Sequence, residues 1–463
     1  MADVDVEGSV ARRDPTPSAS RVPPQPIHEG IARAQSEPPP RWLRVLPFVG
    51  RAPALTGHQW SVIGVLGAAN LIDSYDLAIL GLALPQIQAG LAIEESAIGA
   101  LTATVRLGVI PAILLTVLAD RLGRRRLLLV TILGFTVSTF LTAFARDARD
   151  FAMLQFLARV FIAAEGILAV VVIAEELGAT TRGWGIGLLG AMGTLGYGLA
   201  SIIFSTVNVL PFGWRALYIA GVLPLLLLAW FRRSLKETRR FETHRAGRDD
   251  HGGLEGLLQP VRNLARMYPA RIVALCAALL PIAFVFETSM LFVSKTLQQE
   301  HGYAPGWIAV MFLTVGLIAP IGNVAAGLLG DRFGRKRVMI VGIPVNAVAV
   351  ILFYNTTGPW LPLVWGLMVV SLTVVLVLFS ALGSELFPTS YRSTASGMRA
   401  LIATLGAAFG LWLESQLYEI TGSHGAAITW MLIVTPLAPL IIALFVPETA
   451  NQELEAIAPE RAS

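Results

Sequence analysis

The pattern of apolar and polar positions divides most of this chain into long apolar runs separated by short polar segments. Each run is close to the ~20 residues that an α-helix needs to cross a bilayer. The twelve runs are 59–85, 96–119, 126–145, 151–177, 183–207, 214–231, 271–297, 306–330, 337–356, 361–384, 395–417 and 425–446. The pattern therefore predicts an all-α, polytopic membrane protein with twelve transmembrane helices.

The composition supports this prediction and limits the other possibilities. Of the 463 residues, 55% are hydrophobic and only 14% are charged, whereas a soluble domain carries about 25% charged residues. The single cysteine, Cys276, rules out an intrachain disulfide. Residues 1–57 are rich in Pro, Ser and Arg, which is typical of a disordered tail rather than of a secretory signal peptide.

The distribution of charge predicts the topology. Lys and Arg cluster in short segments between apolar runs, at 121–126, 232–240 and 332–337. Such segments face the cytoplasm in membrane proteins. Because the number of spans is even, we expect both termini in the cytoplasm and a location in the inner or plasma membrane. The net charge of +4 is explained by these loops, and binding to nucleic acid is not expected.

The chain also repeats itself. The segment LADRLGRRR at 118–126 recurs as LGDRFGRKR at 329–337, at an offset of 211 residues. Repeats of this kind are typical of transporters that hold a substrate between two halves. We expect two pseudo-symmetric six-helix halves in the following order: 1–57 cytoplasmic tail, 58–231 first bundle, 232–270 cytoplasmic linker, 271–447 second bundle, 448–463 cytoplasmic tail.

Charged residues deep inside the predicted spans are the candidates for chemistry. Each costs roughly 2.5–3.5 kcal/mol at the centre of a transmembrane helix. We therefore expect these residues to be present because they bind a proton or a ligand. The alternative is a static ion-pair network. The candidates for proton and substrate binding are Asp73, Asp76, Arg106, Arg159, Glu165 and Glu287.

The repeat relates one pair of these candidates. Adding 211 to the number of Asp76 reaches Glu287, so we expect the two carboxylates to face each other across a central cavity. Lys295 and Glu414 are expected near the outer surface. All six histidines fall in the tail, in loops or at span ends, so carboxylates are expected to carry any transported protons.

The repeated loop motif after spans two and eight resembles that of the major facilitator superfamily. ELFPTSYRS at 385–393, ETRRFE at 237–242 and VPETANQELEAI at 446–457 resemble its sugar-porter and metabolite–proton symporter branch. DSYDLAILGLALP at 73–85 is similar to the signature of aromatic-acid–proton symporters. The resemblance covers about residues 58–457.

This resemblance implies alternating access, with loop residues that latch the cytoplasmic helix ends together. The alternative is that these charges serve only to orient the helices during insertion. The expected gating residues are Asp120, Arg121, Gly123, Arg124, Arg125, Glu175, Arg182, Asp331, Arg332, Gly334, Arg335, Lys336, Glu385 and Arg392.

The leading hypothesis is a secondary active transporter that imports a small organic acid with protons. A change in the Asp76–Arg106 distance would alter proton affinity, and a substrate carboxylate would compete for the arginine. The alternatives are a sugar or polyol symporter, a drug–proton exporter, and a transport-like sensor. No enzymatic motif or cofactor site stands out in the sequence. The expected partners are a small-molecule substrate, protons and the lipid bilayer, with the monomer as the working unit.

Overall fold

A computed structural model describes residues 52–122, 124–178, 181–222, 254–388, 391–450, 452 and 457–458. These residues form helices joined by short turns. The helices are α1 Gly57–Leu82, α2 Leu84–Leu91, α3 Ile98–Arg106, α4 Val109–Leu122, α5 Arg124–Thr142, α6 Ala148–Glu176, α7 Arg182–Phe204, α8 Leu254–Met267, α9 Pro269–Gln299, α10 Pro305–Phe333, α11 Arg335–Asn355, α12 Leu361–Glu385, α13 Arg392–Thr421, α14 His424–Met431 and α15 Leu437–Phe445. Residues 214–222 are also helical.

Most of the predicted spans have a counterpart in the structure. Ten stretches of the described chain are long and apolar enough to cross a membrane, and they correspond to the predicted spans one, two, four, five and seven to twelve. The third span is a shorter apolar helix, Arg126–Thr142. The sixth predicted span lies only in part within the described residues. The all-α, membrane-spanning character is therefore confirmed.

The second span is not the single continuous helix that its apolar run predicts. It is interrupted between α3 and α4, at Leu107 and Gly108. A Cβ atom at Gly108 would lie 2.6 Å from the carbonyl oxygen of Phe156 and 3.0 Å from the Cβ of Arg159 on α6. The glycine therefore lets this interruption pack closely against α6, and α3 ends at Arg106.

Two further spans consist of more than one helix. After α1, the chain continues as α2 through Pro85 and reverses at Ala92, whose φ of 49° lies in the left-handed region. The last span is divided into α14 and α15 by a short 3-10 turn at Leu432–Val434. Of these interruptions, the one in the second span places a charged residue, Arg106, at a helix end within a run that the hydropathy pattern assigns to a continuous span.

The helices pack mainly within each half and at a few contacts between halves. In the first half α6 packs against α3, α4 and α5, and in the second half α9 packs against α13 and α15. The main helix–helix contacts between halves are α3 with α13, α7 with α10, and α2 with α9. Small residues allow close approach: a Cβ at Gly410 would run into the Phe284 carbonyl, and one at Gly196 into the Leu71 carbonyl.

Candidate functional site

A central ion pair joins the two halves of the protein. Arg106, the last residue of α3, pairs with Glu287 on α9. The side chains are 19% and 32% exposed, so water reaches the pair but does not surround it. A cation is also favoured at this position because the C-terminal end of a helix carries a partial negative charge.

Asp76 is linked to this pair through Arg159 and is more deeply buried. It is 3% exposed on α1, and the hydroxyl of Thr139 on α5 donates to its Oδ1 at 3.2 Å. Arg159 on α6 interacts electrostatically with Asp76 and repels Arg106. Two arginines and two carboxylates therefore share the centre of the molecule.

One hydrogen-bond donor of Arg159 is not used within the described residues. Its Nε is buried and donates to no atom of the described residues. A buried donor without an acceptor costs about 1–3 kcal/mol, more when it is charged. An acceptor placed at this Nε would remove the cost.

The remaining central candidates are buried as the sequence predicts. Asp73 on α1 is 4% exposed and Glu165 on α6 is 1% exposed. Tyr197 on α7 was not among the candidates, yet it interacts electrostatically with both Arg106 and Arg159. Its sequence surroundings contain no charge, so no sequence signal marks it.

The structure adds pairings that the repeat does not name. Glu287 pairs with Arg106, and Arg159 interacts electrostatically with Asp76. The repeat relates backbone positions in the two halves, but it does not determine which partner a long arginine side chain reaches. The predicted role of each residue stays a proposal.

A second charged cluster lies where the two halves meet near the ends of α2, α9 and α13. We call this region the outer end, since the positive-inside pattern places it outside. The outer cluster consists of Glu95, Lys295, Glu414 and His424. Lys295 Nζ lies 2.8 Å from Glu95 Oε2. His424 Nδ1 lies 2.5 Å from Glu414 Oε1, and its Nε2 lies 3.0 Å from Glu95 Oε2.

The outer cluster corrects two expectations. Lys295 and Glu414 do not lie at the surface, because they are 2% and 0% exposed. His424 is at a span end, as expected, but it is 5% exposed and bonded to two carboxylates. The apolar pattern marks these residues only as close to a helix end. Their burial arises because helix ends from both halves cover them.

The second copy of the repeated loop motif forms a compact polar group at the opposite end. Arg335 pairs with Glu385 and lies 3.5 Å from Asp331. Glu448 accepts the backbone N–H groups of Arg335 at 2.9 Å and Lys336 at 3.4 Å, which caps the start of α11. The sequence did not predict this role of Glu448. The residue does lie in the segment VPETANQELEAI at 446–457, which resembles the sugar-porter branch.

The other predicted gating residues are more scattered. The guanidinium of Arg332 lies 5.2 Å from the ring centre of Phe333. Arg182 begins α7, Glu175 is near the end of α6, and Arg392 begins α13. Gly334, with a φ of 96°, separates α10 from α11. Outside what the structure describes lie Gly123 and the side chains of Asp120, Arg121, Arg124 and Arg125.

Comparison with known proteins gives the family. The sequence profile of the Major Facilitator Superfamily matches residues 66–320 and 273–462. A Bacillus subtilis protein named for niacin/nicotinamide transport is 26% identical over 86% of this chain and 98% of its own length. The cis,cis-muconate transport protein of Acinetobacter baylyi is 24% identical over 76% of this chain and 86% of its own length.

Solved structures share the fold. The crystal structure of a D-xylose-proton symporter superposes with a TM-score of 0.71 at 20% identity, over 84% of this chain and 98% of that one. The predicted fold class is thereby confirmed as twelve transmembrane helices in two pseudo-symmetric six-helix halves. The chain belongs to the Major Facilitator Superfamily and is a multi-pass membrane transporter rather than an enzyme.

Proposed function

We propose that this protein imports a small organic acid together with protons by alternating access. The observation that carries the proposal is the pair of arginines at the junction of the halves. Arg106 is neutralised by a residue of the opposite half, Glu287, and the buried Nε of Arg159 has no acceptor among the residues that the structure describes. A substrate carboxylate supplies the acceptor that both arginines favour, because guanidinium and carboxylate groups match in geometry and charge.

Substrate binding would then be linked to protonation. A carboxylate that takes the place of Glu287 on Arg106 leaves Glu287 without its cation in a partly dry environment. Glu287 then favours its neutral form, since burial disfavours an unpaired charge. Asp76 is the second proton acceptor, and Asp73 and Glu165 supply further buried carboxyl groups on the same half.

The relatives support an acidic substrate. Niacin, which one relative's name pairs with the neutral amide nicotinamide, and cis,cis-muconate, in the name of another, are both carboxylic acids. In the same proposal Asp331, Arg335 and Glu385 belong to the cytoplasmic gate, with the first copy of the motif around Asp120. Both termini lie in the cytoplasm, the protein sits in the cell membrane, and the monomer carries out transport.

The test is uptake into proteoliposomes of labelled aromatic acids, dicarboxylates and sugars, with and without an imposed inward proton gradient. We expect an acid to accumulate only with the gradient. The Arg106→Gln variant should bind that acid about 10–100-fold more weakly, because a charge-assisted hydrogen bond contributes about 1.5–3 kcal/mol. Arg149→Gln, which changes an exposed arginine at the start of α6, should behave as the unmodified protein.

Two results would contradict the proposal. Accumulation of a sugar instead of an acid would favour the sugar or polyol symporter. Equilibration of an acid without any response to the gradient would mean uniport, and the buried carboxylates would then serve only in structure or in ligand binding.

A further inference from the structure

The outer cluster links the two halves through a single carboxylate of the first half. Glu95 precedes α3, whereas Lys295, Glu414 and His424 come from α9, α13 and α14. Lys295 also donates to Gln88 on α2. Any motion that opens the outer end must therefore separate Glu95 from Lys295 and His424.

The geometry at His424 requires an additional proton. Its two ring nitrogens face carboxylate oxygens, at 2.5 Å and 3.0 Å, and each contact needs one hydrogen between the two atoms. A neutral imidazole carries only one N–H group, and an ionised carboxylate carries none. Both contacts form only when the ring is an imidazolium or when one of the carboxyl groups is protonated. In either form, the three side chains together hold one proton more than they would with a neutral His424 and two ionised carboxylates.

Aromatic rings and acidic groups surround the position of this proton. The imidazole is stacked between the rings of Phe292 and Tyr418, with both ring centres 4.3 Å away, and aromatic faces attract cations. With an imidazolium the cluster has two positive and two negative charges. The second oxygen of Glu414 is buried and accepts no hydrogen bond from the described part of the chain, so Glu414 is an alternative position for the proton.

Other titratable groups also act on this cluster. Glu300 follows α9 and interacts electrostatically with Lys295. The hydroxyl of Tyr354 on α11 is engaged by donation to the Ser289 carbonyl. Among the described residues, Glu95, Glu414 and Tyr418 contact His424 directly. Lys295, Glu300 and Tyr354 act on it through these carboxylates and through one another.

We propose that His424, together with Glu95 and Glu414, forms a proton-binding site within the outer gate, which takes up one proton when the gate closes. The proposal rests on the proposed alternating-access function for its assignment of the outer end, but it does not depend on the identity of the substrate. It differs from the central site, since none of its residues touches Arg106, Asp76 or Glu287 in the contacts described.

The sign of the effect follows from the proton count. Because the closed gate binds one more proton than the open gate, acid favours closure and alkali favours opening. An inward-directed proton gradient then helps to close the outer gate behind the substrate. Since reopening returns this proton to the outside, the gate proton regulates the cycle without adding to its stoichiometry.

The experiment measures gate opening directly. Spin labels are placed on Val209→Cys and Trp360→Cys, in two exposed loops of opposite halves, in a Cys276→Ser background. Distances are recorded in lipid nanodiscs by electron–electron double resonance between about pH 5.5 and about pH 8.5, the range in which histidine changes charge. Neither substrate nor proton gradient is present, so a failure of the uptake experiment does not affect the result.

We expect the open-to-closed ratio to rise with pH, by up to about tenfold per pH unit for one proton. His424→Gln should abolish this slope, whereas His301→Gln, which changes another histidine at the outer end, should retain it. If His424→Gln does not fold, Glu95→Gln decides the question, because its side chain is 38% exposed. That variant should be mainly open at every pH. A ratio independent of pH in the background protein, or an unchanged slope in the variants, would overturn the proposal.

Discussion

At the scale of single residues, the arrangement of Arg106 and Glu287 has the clearest consequence for function. The two side chains belong to different halves and form one ion pair near the molecular centre. Removal of one partner of a fully buried pair commonly costs about 2–5 kcal/mol, and a smaller cost is expected here because water reaches both side chains. The same pair must separate whenever the two halves move apart at this level, so its strength contributes to the barrier between states.

Glu287→Gln tests this link between charge pairing and proton coupling. The amide keeps the shape of the side chain but neither binds a proton nor neutralises Arg106. We expect gradient-driven accumulation to fall by about tenfold or more, while exchange of labelled for unlabelled substrate across the membrane continues. Glu419→Gln, an exposed residue of α13, is the matched control. Equal loss of accumulation and exchange would argue against a coupling role.

At the scale of elements, close packing of helices determines where the charged residues come to lie. On α7, Gly193 and Gly196 face α1 near Asn70, Leu71 and Ser74. The amide of Asn70 also donates to the carbonyl of Leu189 at 2.7 Å. This contact holds α1, which carries Asp73 and Asp76, against α7. Small residues permit such an approach, and the packing gained there stabilises the pair of helices.

Gly196→Ala should disturb this contact, because the added methyl group would meet the carbonyl of Leu71. Overpacking of this kind costs about 1–3 kcal/mol, so the unfolding temperature in detergent should fall. Gly190→Ala lies on the same helix, and no atom of the described residues is within 4 Å of the new methyl group. It should leave the temperature unchanged or raise it. Equal behaviour of the two variants would show that α1 and α7 do not pack as closely as described.

At the scale of the whole molecule, the halves are joined at the outer end by a row of polar contacts. The side chain of Gln86 donates to that of Gln298 at 2.6 Å, and Ser294 donates to the carbonyl of Leu82 at 2.7 Å. Together with the outer cluster, these contacts close the outer end in this structure. They are hydrogen bonds and ion pairs, which water can replace, so no covalent bond holds this end closed.

Covalent closure of the outer end should therefore stop transport. In a Cys276→Ser background, Gln86→Cys with Gln298→Cys, joined by a short reducible cross-linker, is expected to lose uptake and to regain it after reduction. The two single-cysteine variants, treated in the same way, should remain active. Undiminished uptake by the fully cross-linked protein would show that the outer end does not open during the cycle.

The apolar pattern was sufficient to predict the helices because the bilayer imposes a simple local requirement. Every spanning segment must be long, apolar and helical to satisfy its backbone hydrogen bonds. The same requirement makes a charged residue within a span conspicuous, so Asp76, Arg106, Arg159 and Glu287 were recognisable without a structure. The interruption at Gly108 was not, since it depends on the approach of α6.

The sequence by itself thus determined the fold class, the approximate spans and the residues with costly buried charges. Only the tertiary structure decided the partners: Arg106 with Glu287, Arg159 beside Asp76, and the outer cluster around His424. The physical reason is that hydropathy is a property of each segment, whereas burial and pairing depend on which distant helix ends meet. Lys295 and Glu414 lie close to the ends of their spans, and they are buried because the other half covers them.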